Sequence, residues 1–418
     1  RQVPRRAPCT IVRWHGETYL FFIAIWIFDN EYTRMIDRTH LLQDVALSME
    51  KNPVTLLLGP RQCGKTTLAR QIMEERGGVL FDLEDPEIAL AFENSKLVLD
   101  PLRGLIIIDE AQLGPGLFPV LRVLVDEDRR NRNDRRFLLL GSAAPSLVQG
   151  ASESLAGRVH QIPMQGFNLS EVGLAGYGDL WSRGGFPEAF LAQSDADSFV
   201  WRRDFIETFL LRDLRAFGVA VPPGELRRLW MMTAHMHGQL LNSSEMGRSL
   251  SVSHGTVRRH LDILEQSYMV RLLQPWHENL GKRQRKSPKL YIRDSGLLHA
   301  LLGLRDSAAL RVHPKAGASW EGFGIEQVLS ILRPEESWFW QTQAGAELDL
   351  LIFLGGQRIG FEFKLADRPS TTKAMHIALE DLKLDHLHVI HPGASSFPLA
   401  PGITATALRA VPALAAGA

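Results

Sequence analysis

The stretch Val54 to Thr67, VTLLLGPRQCGKTT, has the residue types and spacing to hold a nucleotide triphosphate. Its Gly59, Gly64, Lys65 and Thr66 keep the G-x-x-x-x-G-K-[ST] spacing. In such a loop, backbone N–H groups and the N-terminus of the following helix point at phosphate oxygens. The loop from Gly59 through Pro60, Arg61, Gln62 and Cys63 to Gly64 would wrap the phosphates of ATP, with Lys65, Thr66 and Thr67 opening the helix. Lys65 would reach the β- and γ-phosphates, and the Thr66 hydroxyl would sit on Mg²⁺. The bland alternative is a strand-to-helix turn that binds nothing. A second motif argues against it. In LIIIDEAQ, Leu105 to Gln112, an apolar run of buried-strand type ends in two carboxylates. Asp109 would hold Mg²⁺, directly or through water, and Glu110 would orient and deprotonate the attacking water. A third strand, Phe137 to Leu140, ends in Gly141 and Ser142, and such an end could put a polar Ser142 near the γ-phosphate.

A second set of chemical residues lies far downstream. ELDLLIFL, then Gly355-Gly356, then QRIGFEFKL reads as a β-hairpin. With the two glycines as its loop, Leu354 pairs with Gln357, Asp349 faces Glu362, and Glu347 faces Lys364. Strand alternation then puts these four on one face, opposite a core face of Leu348, Leu350, Ile352, Ile359, Phe361 and Phe363. Directly opposed carboxylates repel, and a hard divalent cation removes that penalty. A charged solvent face with Lys364 pairing Glu347 is the competing reading, and the hairpin alone leaves both open. Asp349 followed by Glu362-x-Lys364 also fits the PD-(D/E)xK nuclease pattern, without its proline. The upstream helix Ser319 to Leu332 carries Glu321 and Glu326. In that chemistry Asp349, Glu362 and Glu321 hold Mg²⁺ or Mn²⁺, and Lys364 serves the attacking water.

These residues need elements to position them. The chain has 418 residues, 45% hydrophobic and 22% charged, which is ordinary globular composition for several domains. Its formal net charge is zero, so a polyanion partner would have to bind a local patch. Two cysteines, one of them in the nucleotide loop, suit a reducing compartment, and a cytoplasmic location is expected. Tyr19 to Phe28 is apolar but short of the roughly 20 residues of a membrane helix, so no membrane partner is expected. Residues 1–34 are expected to be marginal to the fold, with Met35 opening the compact part. Strands and helices then alternate: a helix at Thr39 to Met49, strands at Val79 to Leu83 and Val159 to Pro163, and a helix at Leu117 to Val125 before a solvated loop at Asp126 to Arg136. Such alternation gives a parallel, doubly wound sheet over 35–165. A helical region, 166–222, ends at Val221-Pro222-Pro223-Gly224. In 223–304 a helix at Glu225 to Leu241, a second starting at Ser243 or Ser244 and a third from Ser253 make a helix-turn-helix. Met269 to Leu273 and Lys289 to Ile292 would pair as its wing. The third helix offers His254, Arg258, Arg259 and His260, and GKRQRKSPK supplies Lys282, Arg283, Arg285, Lys286 and Lys289. Such a module binds DNA or mediates protein contacts. Arg158 and Arg212 are candidate trans-acting residues, which would require a homo-oligomer. The span 305–395 holds the hairpin, a helix at Thr372 to Leu382 and a strand at Leu387 to His391, and 396–418 reads as an Ala-rich tail.

GPRQCGKTT, IIIDEAQ, LLLGS, SLAGR, RGGFPEAF, YIRDSGLL and the WEGF…ELD…EFK set occur in that order. Together they resemble the prokaryotic AAA-like ATPases whose C-terminal half is a domain of unknown function with a restriction-endonuclease-like end. The resemblance covers roughly Met35 to Pro392. It implies an α/β fold: an ASCE P-loop ATPase sheet, a helical and winged-helix middle, and a PD-(D/E)xK-like terminus. Ala143-Ala144 depart from the more polar residues usual after Gly-Ser. The expected function is ATP binding and hydrolysis coupled to action on DNA. A nucleotide-switched DNA-binding or signalling regulator with an inactive nuclease fold is the alternative.

Overall fold

The computed structural model describes residues 36–114, 116–131, 133–142, 151, 153–213, 221–277 and 287–415, and two short antiparallel strands, Arg13–Trp14 and Glu17–Thr18. Two compact units divide after Ile36, at Arg1–Ile36 and Asp37–Ala418. Tyr19 to Phe28 lies outside the described residues.

The second unit begins with helix α1 (Thr39–Lys51), strand β1 (Val54–Gly59), helix α2 (Lys65–Arg76) and strand β2 (Val79–Asp82). Strands β3 (Leu105–Asp109), β4 (Arg136–Ser142) and β5 (Val159–Pro163) follow, with helix α3 (Leu117–Asn131) between β3 and β4. The five strands form an all-parallel sheet in the order β2-β3-β4-β1-β5. Strands buried on both faces need continuous apolar runs, and Leu56, Leu57, Ile106, Ile107, Leu138 and Leu139 supply them. One face carries Leu41 and Val45 of α1 with Leu68 and Ile72 of α2, and the other carries Leu117, Leu121 and Leu124 of α3.

The run Asp126 to Arg136 is not the solvated loop its polarity suggests. Helix α3 continues to Asn131, and Arg136 already belongs to β4. Arg135 is buried, donating to Asp128 at 2.6 Å and to the carbonyls of Leu99 and Asp100. Paired charges with filled hydrogen bonds can be buried where lone ones cannot.

Helix α4 (Asp195–Thr208) is capped by Ser194, which accepts from Asp197 N. Helix α5 (Pro223–His235) stops before the expected Leu241, because Gly238 at φ 77° turns the chain into a short strand β6 (Gln239–Leu240). Helix α6 (Ser243–Leu250) is capped by Asn242 rather than by either serine, and α7 (His254–Gln266) by Ser253. Strands β7 (Val270–Leu273) and β8 (Lys289–Ile292) pair antiparallel, with β6 beyond β8. Helix α8 (Ser295–Leu301) follows. Phe186, Phe205 and Phe209 share one core with Trp230, Leu261 and Leu297, so residue 222 falls inside a single packed body.

The C-terminal part opens with helix α9 (Ala316–Leu332) and ends in a six-stranded mixed sheet. Its elements are β9 (Ser337–Gln341), β10 (Glu347–Leu354), β11 (Gln357–Phe363), helix α10 (Lys373–Asp381), β12 (His386–His391), β13 (Phe397–Ala400) and β14 (Ile403–Ala407). The order is β9-β10-β11-β12-β14-β13. The supposed tail from 396 therefore begins inside the sheet. Ala405 and Ala407 are strand residues of β14 whose small side chains are buried.

Candidate nucleotide site and carboxylate cluster

β1 and β3 are separated in the sheet only by β4, so the loop after β1 and the carboxylates ending β3 meet at the strands' C-terminal edge. A Cβ on Gly59 would collide with the carbonyl oxygen of Met164, and Gly64 takes φ 96°, a left-handed conformation that suits glycine. Lys65 is buried and donates to the carbonyls of Gly59 at 3.0 Å and Pro60 at 2.8 Å. Thr66 Oγ1 donates to Asp109 Oδ2 at 2.6 Å. A hydroxyl and a carboxylate so close are hard oxygen donors of the kind Mg²⁺ takes. Burial pushes the Asp109 carboxyl up, against the hydrogen bonds from Thr66 and Glu110 N. Glu110 stands in the left-handed region at φ 49°, a strained placement typical of working residues. Burial raises its carboxyl too, with Lys65 opposing. Gln112 donates both to the Glu110 carboxylate and to Ser142 Oγ, the latter at 3.0 Å. Ser142 thus reaches Glu110 through Gln112, a link that only the fold reveals. Arg61 pairs with Glu84 and lies 4.0 Å from Glu110. Of the other loop residues, Cys63 is buried, Gln62 takes φ 61°, and Thr67 is exposed.

Arg38 was invisible to motif reading. It donates to Cys63 O at 3.2 Å, Gln165 O at 2.9 Å and Gly166 O at 3.1 Å, and pairs with Glu171 at 2.7 Å. It ties the phosphate loop to the chain leaving β5. Arg158 pairs with Asp126 of its own chain at 2.9 Å, and the Arg212 side chain lies outside the described residues.

The hairpin register is the expected one, from Leu354↔Gln357 to Leu350↔Phe361. The ladder then opens: Asp349 Oδ2 accepts from Phe363 N at 3.1 Å. The expected Glu347–Lys364 pair does not form. Lys364 donates to Glu362 at 2.8 Å, and Glu347 pairs with Lys289 and accepts from Gln341 at 3.0 Å. Nor is this face a solvated one, since Asp349 is only 7% and Glu362 only 5% exposed. Glu321 of α9 accepts from Tyr291 OH at 2.6 Å and from Lys289 at 3.1 Å, and Lys289 also lies 3.4 Å from Asp349 Oδ1. Lys289 is therefore no DNA-facing cation: it is buried among Glu321, Glu347 and Asp349. Burial, then the Asp349 charge, pushes Glu321 to about 7 and Glu362 to about 8. The donors are hard oxygens. As the side chains stand, however, no three His, Cys, Asp or Glu among the described residues gather into a metal cage.

Glu326, the other carboxylate of α9, takes a different role. It accepts from Arg271 at 2.9 Å and from Arg293 at 3.3 Å, joining β7 and the residue that follows β8 to α9. In α7, His254, Arg258 and Arg259 are exposed, but His260 is buried in the core, and Arg258 lies 3.5 Å from Asp262. Lys282, Arg283, Arg285 and Lys286 lie outside the described residues, as do Ala143 and Ala144. No helix among the described residues is long and apolar enough to cross a membrane.

Residues 51–173 match the model of an AAA domain, 175–308 a domain of unknown function (DUF8612), and 316–411 another (DUF4143). The uncharacterized proteins Rv2008c of Mycobacterium tuberculosis and Mb2031c of Mycobacterium bovis are each 48% identical over 371 residues, 89% of this chain and 83% of theirs. Among solved structures, a Walker-type ATPase of Pyrococcus abyssi is similar at 17% identity and a TM-score of 0.45, covering 64% of this chain and 96% of its own. A RuvB variant of Thermotoga maritima is similar at 14% and 0.30, covering 57% and 90%.

Proposed function

This chain belongs to the family of those mycobacterial proteins and carries an AAA domain; from that premise we propose that it hydrolyses ATP and acts on DNA through a winged-helix middle and a nuclease-like C-terminal domain. The observation that carries the ATPase reading is the Thr66–Asp109 hydrogen bond at 2.6 Å, with Lys65 and Glu110 beside it at the same sheet edge. On binding ATP, Lys65 exchanges the carbonyls of Gly59 and Pro60 for phosphate oxygens. The loop amides from Arg61 to Thr67 hold the remaining oxygens. Thr66 and Asp109 would hold Mg²⁺, which would supply positive charge against the phosphates. Glu110, raised by burial and steadied by Gln112, takes the proton of the attacking water.

DNA binding rests on the exposed Arg258 and Arg259 of α7 and on the basic stretch before β8. The nuclease-like reading rests on the Asp349, Glu362 and Glu321 cluster with Lys364, where Mg²⁺ or Mn²⁺ would bind. A homo-oligomer belongs to the same proposal. The second reading, a nucleotide-switched regulator with an inactive nuclease fold, is favoured by Lys289 filling that cluster. Purified protein is assayed for Mg²⁺-dependent ATP hydrolysis, and for plasmid and single-strand cleavage with Mg²⁺ or Mn²⁺, with and without ATP. Hydrolysis that Lys65→Ala abolishes is expected; hydrolysis unchanged in Lys65→Ala would overturn the site. Absence of cleavage in every condition selects the regulator.

A further inference from the structure

Lys289 begins β8, a strand of the middle body, yet its ammonium ends among carboxylates of the C-terminal part. It lies 3.1 Å from Glu321 and 3.4 Å from Asp349 and also pairs with Glu347, with its side chain 5% exposed. Tyr291, two residues along the same strand, donates to the same Glu321 oxygen at 2.6 Å. So two elements outside the hairpin complete the cluster, and its centre is already held by a cation. Glu321, Glu347, Asp349 and Glu362 supply four carboxylates, against the two ammonium groups of Lys289 and Lys364. A divalent ion bound to Glu321 and Asp349 would share ligand atoms with the Lys289 ammonium. Like charges at that separation repel too strongly in a buried site for both to stay.

We propose that Lys289 is a resident competitor for the divalent cation: its ammonium holds the cation position between Glu321 and Asp349, and metal binds only as that ammonium withdraws. This rests on reading the cluster as a cation site. The middle body thereby gates that site, because Lys289 is anchored by its strand, paired through the backbone with Leu273 and Leu240. An arrangement in which Lys289 merely neutralises a structural cluster makes the opposite prediction. Removing it would then leave buried charges uncompensated, with no gain in metal binding.

The test measures Mn²⁺ binding by calorimetry and by the loss of the free-ion EPR signal. The full chain is used without nucleotide, in a Lys65→Ala, Asp109→Ala background that removes the ATP-site contribution. Lys289→Met is expected to bind Mn²⁺ at least tenfold more tightly, and Lys289→Arg no more tightly than the parent. Asp349→Asn added to Lys289→Met is expected to abolish that binding. Equal affinity in parent and Lys289→Met, with Asp349 dependence intact, overturns the competition but leaves the cation site standing. Binding that ignores Asp349, or none in either protein, overturns the cation site itself. Amine labelling of the parent followed by peptide mass spectrometry requires no Lys289 variant. Lys289 should be protected in metal-free protein and labelled several-fold faster with Mn²⁺; unchanged protection with metal bound refutes the proposal.

Discussion

Glu326→Gln isolates what the second carboxylate of α9 does. Glu326 is 6% exposed and faces two guanidinium groups, Arg271 at 2.9 Å and Arg293 at 3.3 Å. Burial pushes its carboxyl up, but Arg271 and then Arg293 outweigh that, and it stands below the usual 4.5. Removing one partner of a buried pair costs about 3–5 kcal/mol, because the other charge stays buried without compensation. Glutamine keeps an acceptor oxygen for one arginine, so the lower end, about 3 kcal/mol, is expected. At about 2 °C per kcal/mol in a large unit, the melting point should fall by about 6 °C. A carboxyl depressed on folding contributes stability that is present above its unfolded value and lost as pH falls through its folded value. The difference between wild type and variant should therefore be full at pH 7 and shrink below pH 4.5. Differential scanning fluorimetry across that range, in EDTA, measures both. Were Glu326 instead a metal carboxylate, the role proposed for Glu321, the variant would melt no lower than wild type in EDTA and would lose its response to Mn²⁺. That result would refute the structural assignment.

Two further outcomes are expected. Glu110→Gln should bind ATP in equilibrium dialysis with wild-type affinity but not hydrolyse it, because the substitution removes the proposed base without touching Lys65 or Thr66; retained turnover would move the base elsewhere. Replacing exposed Arg258 and Arg259 with alanine should lower the log–log salt slope of duplex DNA binding by about 1.8, at about 0.9 for each phosphate that an arginine no longer neutralises. A slope unchanged in fluorescence anisotropy titrations would assign that helix face to protein partners.

The phosphate loop, its Asp109-Glu110 partner and the hairpin register were legible because each is set locally. Gly59 and Gly64 mark a turn that few other residues can make. The run Leu105 to Ile108 is apolar on both faces, as a central parallel strand must be. The two-glycine loop at Gly355-Gly356 fixes the pairing of β10 and β11 by counting alone. Other features depended on residues far apart in sequence. Arg135 reads as one more charge in a polar run until Asp128 and two carbonyls enclose it. Arg38 carries no motif, yet bridges positions more than a hundred residues away. His260 reads as a DNA-facing residue by its neighbours, but helical phase turns it into the core. Lys289 shows the difference most clearly. In sequence it ends a basic stretch and pairs naturally with a polyanion. In space β8 carries it under α9 and against β10, where Glu321 and Asp349 give a buried ammonium the compensation it requires. Charge type is written in the sequence, but which charges share a low-dielectric interior is decided only when distant strands pack.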